Sequence, residues 1–165
     1  MFLKNRKGPS PSGGPGRFLN SCFAFNLPEG WQDQSVYRFV GPEEDGIQQN
    51  IMVTVEHDVV HPGLSQYAQI NIHAVEQALQ GYHELKQGLL ALDSGRPAYE
   101  IVYKWTPVKD RTVYQRVLYL LEDRTGYILT ASFSKKTWKT NGPEIDRILR
   151  SFQGTAITSK PAVSV

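Results

Sequence analysis

Apolar side chains interleaved with polar ones run along three consecutive stretches that read as long strands: 96–107 (RPAYEIVYKWTP), 112–123 (TVYQRVLYLLED) and 126–134 (GYILTASFS). Val, Ile, Tyr, Trp, Phe and Thr dominate all three, the side chains that suit a pleated, half-buried surface. Two short polar turns join them, 107–111 with Pro, Lys and Asp and 122–126 ending in Gly. Turns this short make an antiparallel meander the direct pairing. Further strands are predicted at 22–27 (CFAFNL), at 35–40 (SVYRFV), at 47–56 and at 82–92, with a candidate break at Gly88. In the stretch 47–56 the odd positions Ile47, Ile51, Val53 and Val55 are apolar. Gln48, Asn50, Thr54 and Glu56 make the even side mostly polar, with Met52 as the exception.

The period changes to that of a helix over 64–79, where Leu64, Ala68, Ile72, Val75 and Leu79 recur three or four apart. Pro62-Gly63 precedes it and Gly81 suits the position past its end. A second helix is predicted to open at Asn141-Gly142-Pro143-Glu144, with Pro in its first turn. Its apolar stripe is Ile145, Ile148, Leu149 and Phe152, and Gly154 stops it. The pattern predicts an α+β fold: an antiparallel β-sheet with both amphipathic helices packed on one face.

Helices on one face leave the other to water or to a partner. The heavier sides of the meander strands are Tyr99, Ile101, Tyr103 and Trp105; Val113, Val117, Tyr119 and Leu121; and Leu129, Ala131 and Phe133. Opposite them lies a lighter mixture of apolar and hydrogen-bonding residues. A surface of that kind suits binding, and the candidate partner-binding residues are Met52, Thr54, Val102, Arg116, Leu118, Ile128 and Thr130. Loops or a dimer partner covering the face would produce the same pattern.

Length and composition sharpen this only modestly. The 165 residues suit one domain, and 21% charged with 40% hydrophobic is ordinary globular composition. Residues 1–17 are rich in Gly, Pro and Ser and hold four positive charges with no acid, so a disordered basic tail is expected there. The domain is expected over 18–154 and a loose end over 155–165. Without the tail the chain has 14 basic and 16 acidic residues, which argues against a nucleic-acid-binding face.

Cys22 is the only cysteine, so no internal disulfide forms, and no apolar run reaches the roughly 18 residues of a membrane span. Leu19-Asn20-Ser21-Cys22 has the outline of a lipoprotein cleavage site, but GPSPSGGPGR stands where its apolar segment belongs. A cytoplasmic location is expected. Candidate chemistry is thin. Glu43, Glu44 and Asp45 fit a solvated hairpin tip, and His57 and His61 fall in a loop beside Pro62 rather than on a metal-binding helix. Cys22 sits inside a strand, where buried packing is the ordinary role. Lys135, Lys136, Trp138 and Lys139 mix basic and aromatic groups without a wider basic field. No Gly-rich phosphate loop occurs. Neither catalysis, metal nor cofactor is expected.

The segment 25–42 (FNLPEGWQDQSVYRFVGP) resembles the opening of DcrB-related proteins, and most closely the Eag-type chaperones of bacterial type VI secretion systems. The resemblance continues through LSQYAQINIHAVEQAL, RPAYEIVYKW, TVYQRVLYLL and EIDRILRSF, spanning about residues 23–152. Its specificity lies in the order of weak motifs; the basic Gly/Pro tail departs from it. The resemblance implies a PsbP-like fold, a curved antiparallel sheet with helices on its outer side. It also implies a cytoplasmic, dimeric, non-enzymatic chaperone. Its partner would be a secreted effector whose N-terminal transmembrane helices it shelters before loading onto the secretion spike. The alternative is an envelope-associated DcrB-like protein whose sheet binds a small ligand or another protein.

Overall fold

The computed structural model describes residues 17–19, 24–26, 28–31, 33–60 and 63–154. They fall into two units, divided between Gln34 and Ser35. The first holds a short antiparallel hairpin, β1 (Arg17–Leu19) with β2 (Ala24–Asn26). Thus β2 takes up part of the strand expected at 22–27. Cys22 and most of the two expected loose ends lie outside the described residues.

The second unit carries β3 (Val36–Glu44), β4 (Ile47–Glu56), α1 (Leu64–Ala78), β5 (His83–Ala91), β6 (Pro97–Val108), β7 (Arg111–Glu122), β8 (Thr125–Phe133) and α2 (Lys135–Arg150). The six strands form one antiparallel sheet in the order β3-β4-β8-β7-β6-β5. It is an open α+β sheet with two helices, as the alternating pattern predicts. Three of the sheet's hairpin turns are two residues long, each with an Asp at positive φ: Asp45 (60°), Asp110 (64°) and Asp123 (51°); the β5–β6 connection is longer, 92–96, with Gly95 at 81°. A short polar side chain tolerates that conformation, and Asp45-Gly46, with both φ positive, closes the acidic hairpin. That tip is shorter than the loop expected at 41–46, because β3 runs on through Glu44 after a bulge between Val40 and Glu43.

The closing helix begins earlier than expected. Ser134 caps it: its side chain accepts a hydrogen bond from the Thr137 backbone N–H at 3.1 Å, and Thr137 Oγ1 accepts from the Ser134 N–H at 2.9 Å. This reciprocal box satisfies two otherwise orphaned donors, so the helix nucleates at 134–137 and Pro143 lies inside it.

Strand register corrects the layer arrangement. Tyr67, Ala68 and Ile72 of α1 pack on Ile101, Tyr103, Val117 and Tyr119. Leu149 of α2, with Trp138 and Ile145, packs on Leu118, Leu120, Leu129, Ala131 and Phe133. Consecutive β7 residues such as Val117 and Leu118 belong to different clusters, so the two helices lie on opposite faces and not on one. The central strands are therefore buried on both sides, and each side of a strand such as β7 is apolar for its own reason. Residues facing α1 form one face, here called the α1 face; the other is the α2 face.

Candidate functional site

Register pairs Val36 with Thr54, Arg38 with Met52 and Val40 with Asn50. It pairs Thr54 with Ile128, Met52 with Thr130 and Asn50 with Ser132. Those three rows continue to Tyr119, Val117 and Gln115 on β7. All these side chains share the α1 face, because an antiparallel pair places opposite residues on the same side. Helix α1 lies over β6 and β7. Among the described residues of this unit no helix covers the β3–β4 part of the face, where Val36 is 49% and Val40 59% exposed and Met52, Thr54 and Thr130 are half-buried.

The seven residues expected to bind a partner do not form one surface. Met52, Thr54, Ile128 and Thr130 lie on the α1 face. Val102, Arg116 and Leu118 lie on the α2 face. Leu118 is fully buried and Val102 nearly so. Leu118 is opposite Leu129, whereas Ile128 is opposite Tyr119, so Leu118 and Ile128 are not cross-strand neighbours on one face. Arg116 is held inside the protein, 2.6 Å from Glu100 and 2.5 Å from Asp146 of α2. Lys86 closes the other side of Glu100 at 2.6 Å, and Asp146 also accepts from Arg150 Nε at 3.0 Å. Burial raises the Asp146 pKa, but the Arg116 and Arg150 guanidiniums outweigh it and hold the carboxyl below its usual range.

The candidate set left out six residues of the open surface: Val36, Arg38 and Val40 on β3, and the polar ladder Asn50–Ser132–Gln115. Gln115 Nε2 donates to Ser132 Oγ at 3.0 Å. Asn50 Nδ2 donates to the Gln48 carbonyl at 2.9 Å, while its Oδ1 has no partner among the described residues. The period-two alternation of β3 would have placed Val36, Arg38 and Val40 together. Nothing in a single sequence indicates which strand β3 pairs with. What results is a mixed surface in which Val36, Val40 and Met52 surround the exposed Arg38 guanidinium, with hydroxyl and amide groups beside them.

The α2 face has its own opening. Tyr37 and Phe39 of β3, Val53 and Val55 of β4, Tyr127 and Phe152 line a groove of about 500 Å³, with His57 at its edge. Tyr37 is 47% and Phe39 61% exposed. Strand β3, an edge of the sheet, thus presents uncovered apolar side chains on both faces. Among the described residues no three His, Cys, Asp or Glu are grouped to hold a metal ion, and no helix is long and apolar enough to cross a membrane. His57 ends up in the segment after β4, and His61 lies outside the described residues.

The DcrB family model matches residues 24–151. No curated protein matches the chain. Among solved structures, it resembles a crystal structure of PA94 from Pseudomonas aeruginosa, a protein given as of unknown function with a suggested regulatory role. That match has a TM-score of 0.70 and 16% identity, over 87% of this chain and 99% of that one. It also resembles the solution structure of cyanobacterial PsbP from Synechocystis sp. PCC 6803, with a TM-score of 0.51 and 13% identity over 92% and 98% of the two chains. At such identities the likeness is one of fold.

Proposed function

Because the chain belongs to the DcrB family, we propose that it is a non-catalytic binding protein that shelters apolar helices of a partner on the open part of its α1 face. In its sharper form, the partner is a type VI secretion effector and the helices are its N-terminal transmembrane segments, held in the cytoplasm before loading. The observation that carries this is the uncovered surface of Val36, Val40 and Met52 around Arg38, beside Asn50, Thr54, Thr130, Ser132 and Gln115. A transmembrane helix in water needs its apolar side chains covered and its few polar groups paired, and this surface offers both. Met52 adapts its shape to different neighbours. The resemblance of 25–42 and of the later motifs to Eag-type chaperones supports the sharper form.

Co-expression with an effector fragment carrying its first transmembrane segments tests the proposal. The fragment is expected to co-purify in soluble form with the wild-type chain and to be insoluble without it. Equal recovery without the chain contradicts it. A homodimer, which the same resemblance implies, would let two such faces enclose one client. Light scattering at micromolar concentration checks that arrangement, and a monomer with or without the client overturns it.

The groove of Tyr37, Phe39, Val53, Val55, Tyr127 and Phe152 favours a second reading, a DcrB-like carrier of a small apolar ligand. The two differ in which face is used. Substitution on the α1 face abolishes client capture under the first, and substitution in the groove abolishes ligand binding under the second.

A further inference from the structure

We propose that the outer side of α2 binds an anionic membrane surface through Lys135, Lys136, Lys139 and Arg147. All four are exposed. None makes an ion pair among the described residues, whereas Lys86, Arg96, Arg116, Arg124 and Arg150 each do. At 100° per residue the four fall within an arc of about 120°; Asp146 lies inside the same arc but is engaged by Arg116 and Arg150, and Glu144 lies about 60° beyond its edge. Lys109 and Arg111 on the β6–β7 turn are also exposed and unpaired among the described residues. They stand at the same end of the sheet as the start of α2, since Tyr114 pairs with Phe133.

Helix stability does not account for this placement. Three lysines occupy the first turns of α2, where the helix dipole disfavours cations, and the first turn holds no acid. Packing does not account for it either, because the inward side is occupied by other residues. Trp138 stacks on Tyr114 at 6.4 Å and meets Phe133 edge-on at 5.4 Å. That inward turn also removes the one aromatic residue of the motif from base stacking, which disfavours single-stranded nucleic acid. Three of the four cations are compact ammonium groups, which suit the diffuse field of lipid headgroups better than bidentate recognition does. Ile148 is the one large apolar residue exposed on the helix, so the contact is electrostatic attachment without insertion. Helix α2 lies on the sheet face opposite the proposed client surface, so each contact can fail without the other.

Co-sedimentation of the full chain with lipid vesicles tests this. The chain is expected to bind vesicles in which about a third of the lipid is phosphatidylglycerol, and to be released by roughly 0.5 M salt. Phosphatidylcholine vesicles are expected to leave it in solution. Replacing Lys135, Lys136, Lys139 and Arg147 by Gln is expected to lower partitioning by two to three orders of magnitude, at about 1 kcal/mol per cation. Lys136→Glu alone, one exposed side chain, is expected to lower it at least tenfold by the same rule, with the melting temperature unchanged. An Arg124→Gln variant, which removes an exposed cation on the β7–β8 turn at the other end of the sheet, is expected to bind almost as wild type. Equal binding to both vesicle types, unchanged binding by the quadruple variant, or equal loss in the Arg124 variant overturns the proposal. Capture of an acidic protein or of nucleic acid with no vesicle binding overturns it as well.

Discussion

Arg116 sits between two carboxylates from different elements, Glu100 on β6 and Asp146 on α2, and its side chain is only 11% exposed. Glu100 is more buried still, at 3%. Truncating Arg116 leaves Glu100 in the interior with Lys86 as its remaining cation, so Arg116→Ala is expected to cost roughly 3–5 kcal/mol in urea unfolding. Arg116→Met is expected to cost less, because it restores apolar contact over Leu118 and Ala131. A near-neutral Arg116→Ala would show that the side chain is free for a partner after all. Gly126 is constrained differently: a Cβ there would lie 2.6 Å from Tyr67 Cζ. Gly126→Ala therefore has to displace the buried Tyr67 ring and is expected to cost about 1–3 kcal/mol by thermal melting. No loss would mean that α1 shifts freely on the sheet. The sequence marks Arg116 only as a polar residue in an apolar strand. A solvent-facing guanidinium and a buried ion pair have the same local pattern, and only the position of α2 tells them apart.

Among elements, the strand bounds were largely legible. Hairpins with Asp or Gly in two-residue turns punctuate the chain clearly, and β4 and α1 lie within a residue of their expected limits. Helix α2 was half legible. Its box uses Thr137 where Glu or Gln is the usual signal, and Pro143 imitates a first-turn proline. Ser134→Ala removes the cap and is expected to cost about 1 kcal/mol. A loss below a few tenths would show that packing alone fixes the helix start. The Asp146 carboxylate gives the same helix an acid sensitivity. Its folded pKa is depressed, so its contribution is complete above the ordinary carboxylate value of about 4 and is lost as pH falls below that. Melting temperature is expected to drop through that window in the wild type and less steeply in Asp146→Asn. Identical slopes would remove Asp146 from the acid response.

For the whole molecule, the α+β class and the antiparallel sheet were legible, but the pairing of faces was not. Alternation shows which residues of one strand share a side; it does not show which sides of two strands coincide. Here α1 and α2 bury opposite faces, so Val117 and Leu118 are both core, and choosing the heavier side of each strand mixed the two. Hence Met52 and Thr130 were correctly grouped, while Val102 and Leu118 were grouped with them wrongly. The correction moves the central test from Leu118 to neighbours that separate the faces cleanly. Met52 points to the open α1 face and Phe39 to the groove on the α2 face. The decisive measurement is pull-down of the effector's transmembrane fragment by Met52→Glu and by Phe39→Glu, with melting curves of both free proteins. The new carboxylate at position 52 faces Arg38 across the strands, and burying that charged pair under an apolar helix still costs several kcal/mol, so Met52→Glu is expected to lose the fragment while melting within a few degrees of wild type, and Phe39→Glu to retain it. Retention by a folded Met52→Glu, together with loss in Phe39→Glu, would contradict the account and move the client to the groove.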